Sequence, residues 1–293
     1  MRVLVCGARG FIGAQVVRRL REQGHEVVAG VSRAAQADDV VVDYARDHSP
    51  AHWLPRLAGV DAVVNAVGVL RDSRSRPIQA VHSDTPRALW RACVDAGVSR
   101  VVQVSALGVD QSDTVYARTK READEALWAH RDAGELSAVV VRPSVVFGRG
   151  GDSSALFVNL ARLPLLVLPQ PMVKAWVQPV SVHDLADVLV DLVLKPGEES
   201  LLAAVGAERL SMAHFVASLR QQLGHGRAPM WPLPMPLTRL SARLGDAVPG
   251  VPWCSETLAM LAQDNVGEIE AFARRLGREP VAASDLVAAA WRA

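Results

Sequence analysis

The chain has 293 residues, of which half are hydrophobic, and its 32 Lys and Arg nearly balance its 31 Asp and Glu, for a formal net charge of +1. This composition excludes a disordered chain and argues against a protein held on nucleic acid by phosphate neutralisation. At this length we expect one large or two fused domains that bury enough surface to fold without a metal or a disulfide.

Residues 1–145 alternate short β-branched runs with helical periods, which is typical of a parallel sheet with crossover helices. Apolar residues recur at helical spacing over Ile12–Leu20, with Gly24 placed as a C-terminal cap. Two further helices are predicted over Pro86–Ala96 and Thr114–Ala133. We therefore predict an α/β fold with a doubly wound parallel sheet of the Rossmann type. The predicted strands are Arg2–Cys6, Glu26–Val31, Val40–Val42, Ala62–Ala66, Val101–Ser105 and Ala138–Val141.

A glycine-rich turn, Gly7-Ala-Arg-Gly10-Phe-Ile-Gly13, joins the first predicted strand to the first helix. Glycines allow a tight turn and a close approach of the backbone to a pyrophosphate, and a helix N-terminus offers N–H groups to phosphates. The flanking strand and helix favour a dinucleotide-binding turn over a chance pattern, although the spacing is GxxGxxG instead of GxGxxG. The cofactor contacts predicted here are Gly7, Arg9, Gly10, Phe11, Ile12 and Gly13.

The residues that close the second strand distinguish the two nicotinamide dinucleotides. A carboxylate near this position usually binds the ribose 2′-hydroxyl of NAD(H), whereas Arg accommodates the 2′-phosphate of NADP(H). Ser32 and Arg33 provide a cation and no carboxylate, and Arg9 could reach the same phosphate. We therefore predict that NADP(H) is favoured over NAD(H). The alternative is that Arg33 is only a solvated surface cation.

Two later strand ends fit the same cofactor. Asp43 follows the third strand, where its carboxylate could accept from the adenine amino group. Asn65, Ala66, Val67 and Gly68 end the fourth strand, where small residues would let the backbone approach the ribose. Ordinary turn chemistry explains Asp and Gly at such positions equally well.

Tyr116 and Lys120 lie one helical turn apart on one face of the third predicted helix. A phenol has a pKa of about 10, and a nearby cation stabilises its phenolate, so we expect Lys120 to lower the pKa of Tyr116. Lys120 can also donate to the nicotinamide ribose. Ser105 ends the fifth strand and is the expected third partner, hydrogen-bonded to a substrate carbonyl. The chain has only two tyrosines and three lysines, so chance is a poor explanation for this pair.

The GxxGxxG turn, Ser105 and the Tyr116-x-x-x-Lys120 motif together resemble the short-chain dehydrogenase/reductase superfamily. The resemblance implies hydride transfer between the nicotinamide and a carbonyl or alcohol, with Tyr116 moving the proton, Lys120 lowering its pKa and Ser105 orienting the oxygen. Only ten residues separate Ser105 from Tyr116, fewer than in extended members that act on sugar nucleotides.

The segment Arg142-Pro-Ser-Val-Val-Phe-Gly148 is similar to the RPxxVYG segment of the extended and atypical branches, which include NAD-dependent epimerases and dehydratases. This similarity implies a cofactor contact at Pro143 and substrate contacts at Arg142 and Ser144. The segments Gln178-Pro-Val-Ser-Val-His-Asp184 and Asp264-Asn-Val resemble the group that contains the NADPH-binding accessory subunit of respiratory complex I and its bacterial relatives.

Residues 146–293 are less regular and predict a smaller C-terminal lobe, with 175–194 returning to the dinucleotide-binding domain of residues 1–145. We expect this lobe to pack over the carboxyl ends of the first six strands and to enclose a substrate. The segment Pro229–Pro252, rich in Pro, Met, Trp and Leu, packs the lobe, covers the substrate, or forms a partner or membrane surface. The elements predicted in the lobe are helices near Ser154–Arg162, His183–Leu194, Ser211–Leu223 and Val266–Leu276 and a strand over Ala175–Val182.

The predicted function is an NAD(P)(H)-dependent oxidoreductase acting on a small carbonyl or alcohol. One alternative is a non-catalytic NADPH-binding accessory or assembly protein, with a membrane complex or a second copy of the chain as partner. The second is a sugar-nucleotide epimerase or dehydratase, in which Arg142, Arg149 and Arg162 would bind the diphosphate. No nucleic-acid partner is expected.

Cys6, Cys93 and Cys254 form no CxxC pair, so neither a metal site nor a disulfide framework is predicted. This cysteine usage favours a reducing compartment. The apolar run after Arg2 is too short for a secretory leader, and no apolar run reaches the roughly 20 residues of a membrane span. We therefore expect the protein in the cytoplasm, or at the periphery of a membrane if its partner is a membrane complex.

Overall fold

The computed structural model describes residues 1–36, 38–248 and 253–291. The last four residues of the segment Pro229–Pro252 lie outside the described residues. The chain divides into two compact units. Unit 1 comprises Met1–Val109, Val115–Arg142 and Leu185–Leu202, and unit 2 comprises Asp110–Thr114, Pro143–Asp184 and the described residues from Ala203 onward.

Strands and helices alternate through the first part of the chain. The strands are β1 (Arg2–Cys6), β2 (Glu26–Val31), β3 (Asp39–Val41), β4 (Ala62–Asn65), β5 (Arg100–Val104), β6 (Ser137–Pro143), β7 (Val146–Phe147), β8 (Leu166–Pro169), β9 (Trp176–Val177), β10 (Val180–Ser181), β11 (Leu201–Ala204), β12 (Leu210–Ser211) and β13 (Met230–Leu233). The helices are α1 (Phe11–Glu22), α2 (Pro50–Trp53), α3 (Thr85–Ala96), α4 (Val115–Asp132), α5 (Asp152–Arg162), α6 (Gln170–Lys174), α7 (Val182–Leu194), α8 (Met212–Gln222), α9 (Met235–Asp246), α10 (Ser255–Leu261), α11 (Glu270–Leu276) and α12 (Leu286–Ala290). None of the helices in the described part of the chain is long and apolar enough to cross a bilayer.

Seven strands of the described chain form one sheet in the order β11-β6-β5-β4-β1-β2-β3. The neighbours from β6 to β3 pair in parallel, with β1 hydrogen-bonded to β2 on one side and to β4 on the other. The strand order therefore reverses between β1 and β4, and in open α/β sheets ligands bind outside the carboxyl ends of the strands at such a point. The predicted doubly wound parallel sheet is confirmed.

The edge strand β11 was not predicted. Its sequence, Leu-Leu-Ala-Ala, lacks the β-branched and aromatic residues that mark the other strands, and Leu and Ala favour helices. Backbone bonding at the sheet edge overrides this preference, as in the bond from Val140 N to Ser200 O at 2.9 Å just before the strand.

Unit 1 buries one large apolar cluster against one side of its sheet. Alternate residues of the central strands, such as Leu4 and Val63, meet Leu89 and Trp90 of α3 in this cluster. Parallel strands covered on both faces read as near-continuous apolar runs, as Val3–Cys6 of β1 and Ala62–Val64 of β4 do. This packing fixes where each strand ends, and therefore where the loops that carry the candidate site begin.

Unit 2 has its own core, in which the Phe215 ring contacts those of Phe147 and Phe157 edge to face. The strand predicted over Ala175–Val182 is wrong as a single element, because Pro179 separates β9 from β10. β9 pairs antiparallel with β12, and β10 pairs parallel with β7.

Candidate active site

The glycine turn after β1 has a conformation that only glycine can adopt without strain. Gly7 has a φ of +79°, and a Cβ on Gly13 would lie 2.1 Å from the carbonyl oxygen of Gly7. The turn is closed by a hydrogen bond of 2.8 Å from Gly10 N to Gly7 O. α1 begins at Phe11 with no side-chain cap and no acidic residue in its first turn, so its N-terminal N–H groups and the positive end of its dipole suit an anion.

The loop after β4 lies directly against this turn. A Cβ on Gly7 would be 3.2 Å from both the carbonyl oxygen of Ala66 and Cγ2 of Val67. The Asn65 side chain is buried and engaged within the sheet: its Oδ1 accepts from the Tyr44 hydroxyl at 2.7 Å, and its Nδ2 donates to Gln103 at 2.8 Å. The backbone of the loop, and not the Asn65 amide, is therefore what this strand end presents beside the glycine turn.

The loop after β2 is connected to the glycine turn by Arg9. Its Nη1 donates to the carbonyl oxygen of Arg33 at 2.9 Å, and its Nη2 pairs with the buried carboxylate of Asp39. That carboxylate also accepts from the backbone N–H groups of Ala35, at 2.6 Å, and Gln36, at 2.7 Å. These backbone bonds, together with Arg9, lower the pKa of Asp39 despite the opposing effect of burial.

Asp39 was missed by the sequence analysis, because nothing in the spacing connects it with Arg9, 30 positions earlier. Ser32 and Arg33 are exposed at the tip of the loop that Asp39 holds. Asp43 is exposed, and its Oδ1 accepts from Ala45 N at 3.0 Å, which is ordinary turn chemistry. The predicted contact of Asp43 with adenine stays a prediction.

Tyr116 and Lys120 lie on the first turns of α4, beside the loop after β4. Lys120 Nζ donates to the carbonyl oxygen of Val104 at 3.1 Å, and a Cβ on Gly68 would lie 3.5 Å from the same Nζ. The Tyr116 ring meets the edge of His82, with 5.1 Å between the ring centroids. Within unit 1, the loop after β4 thus has two neighbours. Its residues Ala66 and Val67 lie against the glycine turn, and its residue Gly68 lies against Lys120.

His82 joins this loop to α4. Its Nε2 accepts from the backbone N–H of Val69 at 3.0 Å, and its Nδ1 lies 3.2 Å from Oγ1 of Thr119. Burial, reinforced by the charge of Lys120, lowers the pKa of His82 to about 2, so the ring is neutral. It therefore acts as a fixed hydrogen-bonding bridge and not as a proton carrier.

Burial has the largest effect on the pKa values of Tyr116 and Lys120. It raises the pKa of Tyr116 to about 12, and the negative charge of Asp124 acts in the same direction. This is opposite to the predicted lowering, because burial of the phenolate and the charge of Asp124 both raise the pKa of Tyr116. Burial also lowers the pKa of Lys120 to about 8, against the effect of Asp124. At neutral pH Tyr116 is protonated and Lys120 is mostly charged.

A buried carboxylate organises the residues beneath this pair. Oδ2 of Asp124 accepts from the Ser105 hydroxyl at 2.8 Å and from Nη2 and Nε of Arg142 at 3.0 and 3.2 Å. The guanidinium of Arg142 also lies over the Trp128 ring, 5.4 Å from its centroid. Burial raises the pKa of Asp124, against the lowering effects of Ser105 and Arg142. The buried Oδ1 of Asp124 has no hydrogen-bond partner among the described residues.

These contacts bear on two predicted roles. The Ser105 hydroxyl donates a hydrogen bond to Asp124. It would therefore have to rotate away from Asp124 to donate to a substrate carbonyl. The guanidinium of Arg142 binds a protein carboxylate, which makes it a poor candidate for the predicted substrate contact. Both roles stay predictions. Asp124 itself was missed, although Tyr116, Lys120 and Asp124 follow at intervals of four on one helix face.

Pro143 and Ser144 belong to unit 2. The Ser144 hydroxyl donates to the carbonyl oxygen of Asn265 at 2.7 Å and accepts from Gln178 N at 3.2 Å. Its hydrogen bonds therefore stabilise unit 2 itself. The contacts predicted for Pro143 with a cofactor and for Ser144 with a substrate stay predictions.

Comparison with protein families matches residues 3–199 to the NAD dependent epimerase/dehydratase family. Among curated proteins, UDP-glucose 4-epimerase of Vibrio cholerae is 26% identical over 265 residues, which cover 80% of this chain and 79% of that protein. Ceramide reductase of Caulobacter vibrioides is 31% identical over 195 residues, covering 64% of this chain and 59% of its own length.

The mitochondrial NADH dehydrogenase [ubiquinone] 1 alpha subcomplex subunit 9 of Mus musculus is also similar to the chain. It is 26% identical over 273 residues, which cover 86% of this chain and 69% of the subunit. The predicted resemblance to this group is therefore confirmed. Among solved structures, MoeE5 in complex with UDP-glucuronic acid and NAD superposes with a TM-score of 0.74 at 19% identity, over 99% of this chain and 97% of the other, and it shares the fold.

Replacing Asp124 tests the buried pair. We expect Asp124→Asn to lower the free energy of unfolding by roughly 3–5 kcal/mol, because it leaves the Arg142 charge buried without its counterion. Urea unfolding followed by tryptophan fluorescence measures the change. The control is Arg91→Ala, which breaks the exposed pair with Asp95 and should cost less than about 1 kcal/mol. Equal effects of the two substitutions would contradict a buried Asp124–Arg142 pair.

Proposed function

The chain belongs to the NAD dependent epimerase/dehydratase family, and we propose that it is an NADP(H)-dependent reductase of carbonyl compounds. The observation that carries the proposal is the position of the loop after β4. Ala66 and Val67 of this loop lie against the glycine turn, and Gly68 of the same loop lies against Lys120. A dinucleotide whose pyrophosphate lies at the N-terminus of α1 would extend along this loop toward Tyr116. The similarity to ceramide reductase supports the same chemistry.

The residues that would hold the dinucleotide suit its pyrophosphate and its riboses. The uncapped N-terminus of α1 suits the pyrophosphate, and the backbone of the loop after β4 suits the ribose. Lys120 lies against Gly68 of that loop and would donate to the nicotinamide ribose. When bound, the reduced nicotinamide supplies a hydride to the carbonyl carbon of the substrate.

Tyr116 is the proposed proton donor to the oxygen of the same carbonyl. Because burial raises its pKa to about 12, the phenol is protonated at neutral pH and carries the proton to be donated. Lys120 lies one turn along α4, and its ammonium would reduce the cost of the phenolate left after proton transfer. Hydride addition to carbon and protonation of oxygen together convert the carbonyl to an alcohol, and Tyr116 is reprotonated from solvent.

The preference for NADP(H) rests on two cations. Arg9 donates to the carbonyl oxygen of Arg33, so its guanidinium lies against the loop that carries Ser32 and Arg33. Asp39 is the carboxylate found beside Arg9, and it already accepts from three donors. A 2′-phosphate would therefore meet Arg33 and the Ser32 hydroxyl, and it would compete with Asp39 for Arg9; charge-assisted hydrogen bonds to phosphate are strong.

The non-catalytic accessory function is the second candidate. The bond from Ser105 to Asp124 favours it, because the hydroxyl expected to orient a substrate points into the protein. The similarity to the complex I subunit is consistent with it. The epimerase or dehydratase alternative relies on Arg142 as a diphosphate ligand, and its bonds to Asp124 weigh against that role. The supply of substrate contacts by residues 146–293 stays a prediction.

Arg33→Ala tests the cofactor preference. We expect NADPH to bind roughly 10- to 100-fold more weakly, because charge-assisted hydrogen bonds to the phosphate are lost, while NADH affinity stays unchanged. Quenching of tryptophan fluorescence by each dinucleotide measures both affinities. Arg91→Ala, an exposed arginine on α3, is the matched control and should alter neither affinity. Equal affinities of the unsubstituted protein for NADPH and NADH would defeat the preference.

Tyr116→Phe tests catalysis. With a panel of carbonyl compounds and NADPH absorbance as the readout, we expect the substitution to slow turnover by roughly 10²- to 10⁴-fold, since it removes the general acid. NADPH affinity should stay unchanged. Arg118→Ala on the exposed face of α4 is the control and should retain full activity. Failure of every carbonyl compound to oxidise bound NADPH would favour the accessory function.

A further inference from the structure

Unit 2 turns a line of large apolar side chains outward on α9. Leu237, Leu240 and Leu244 follow one another at helical spacing, and between 52% and 64% of each side chain is exposed. The opposite side of the helix is buried through Thr238 and Ala242. α9 is therefore held against unit 2 by small residues, and its leucines form an exposed stripe, here called the leucine line.

A second exposed apolar group lies on the parallel pair β8–β13. Val167 pairs in register with Trp231, so both side chains share one face of this two-stranded ribbon, and Trp231 is 66% exposed. Leu165 stands two residues before Val167 and is also exposed. Leu166 and Leu168 point to the opposite face of the ribbon and are buried in the core of unit 2. The ribbon therefore has one face in the core and one apolar face in solvent.

Positive charge accompanies the leucine line. Arg239 and Arg243 are exposed and one turn apart, and they lie roughly 110° around α9 from the leucines. The acidic residue of α9, Asp246, accepts hydrogen bonds from the N–H and hydroxyl of Ser255 at 2.8 and 2.6 Å. Cations are thus concentrated here in a chain whose total charge is close to neutral.

We propose that the leucine line and the outer face of the β8–β13 ribbon dock onto a lipid bilayer with anionic phosphate headgroups. An amphipathic helix can lie in the membrane interface with its apolar side chains among the acyl chains, and this contact needs no complementary shape. Arg donates in a bidentate manner to phosphate, and Trp favours the interface region. A second copy of the chain fits less well, because each copy would bring the same positive charge to the contact.

Vesicle sedimentation with the full chain tests the proposal. Vesicles of phosphatidylcholine mixed with phosphatidylglycerol should bind the protein, vesicles of phosphatidylcholine alone should bind it more weakly, and added salt should reduce binding. The double substitution Leu240→Glu with Leu244→Glu should weaken binding at least about tenfold, because two carboxylates replace apolar contacts. Arg239→Ala and Arg243→Ala should each weaken binding roughly fivefold.

Two matched controls keep the outcomes distinct. Leu201→Glu places the same charge at an exposed leucine of β11, and Arg274→Ala removes an exposed arginine of α11; neither should alter binding. The substituted residues are exposed, so circular dichroism should show unchanged folding. The proposal is overturned if neither vesicle binds, if the leucine variant binds like the original chain, or if light scattering shows a dimer that the leucine substitutions dissociate.

Discussion

The site described above depends on the contact between the start of α1 and the end of β1. At Gly13 the helix backbone comes so close to Gly7 that a single methyl group would lie 2.1 Å from its carbonyl oxygen. This approach sets the position of the uncapped helix N-terminus at the edge of the sheet, where the strand order reverses between β1 and β4. The loop after β4 lies against the same turn and connects it to α4.

Buried charge shapes the chemistry around that loop. Lys120 and Arg142 are two cations in the protein interior; Asp124 pairs with Arg142, and Lys120 donates to the carbonyl oxygen of Val104. Burying such groups costs free energy, so the arrangement is stable only when each charge keeps its partner. The same burial keeps Tyr116 protonated and His82 neutral. The protein thus holds a proton on the phenol while fixing its neighbours by hydrogen bonds.

Sequence patterns predicted those parts of the site that are encoded locally. The glycine turn and the Tyr116–Lys120 pair each lie within one strand-to-helix connection or one helix turn, so spacing alone indicated them. Asp39 depends on a contact with Arg9 across 30 positions, and Asp124 of α4 depends on Arg142 of β6, so neither had a short-range signal. The YxxxK pattern predicted a lowered pKa for Tyr116, whereas burial and Asp124 raise it, and neither is visible in that pattern.

The proposed function depends on a nicotinamide dinucleotide binding between the glycine turn and the loop after β4. Hydrogen–deuterium exchange with and without NADPH tests it most directly, because bound phosphates and ribose would cover particular backbone N–H groups. We expect slower exchange at residues 10–13 and 66–69 when NADPH is added, and unchanged exchange in α8 of unit 2. Unchanged exchange in both of the first two segments at saturating NADPH would contradict the account.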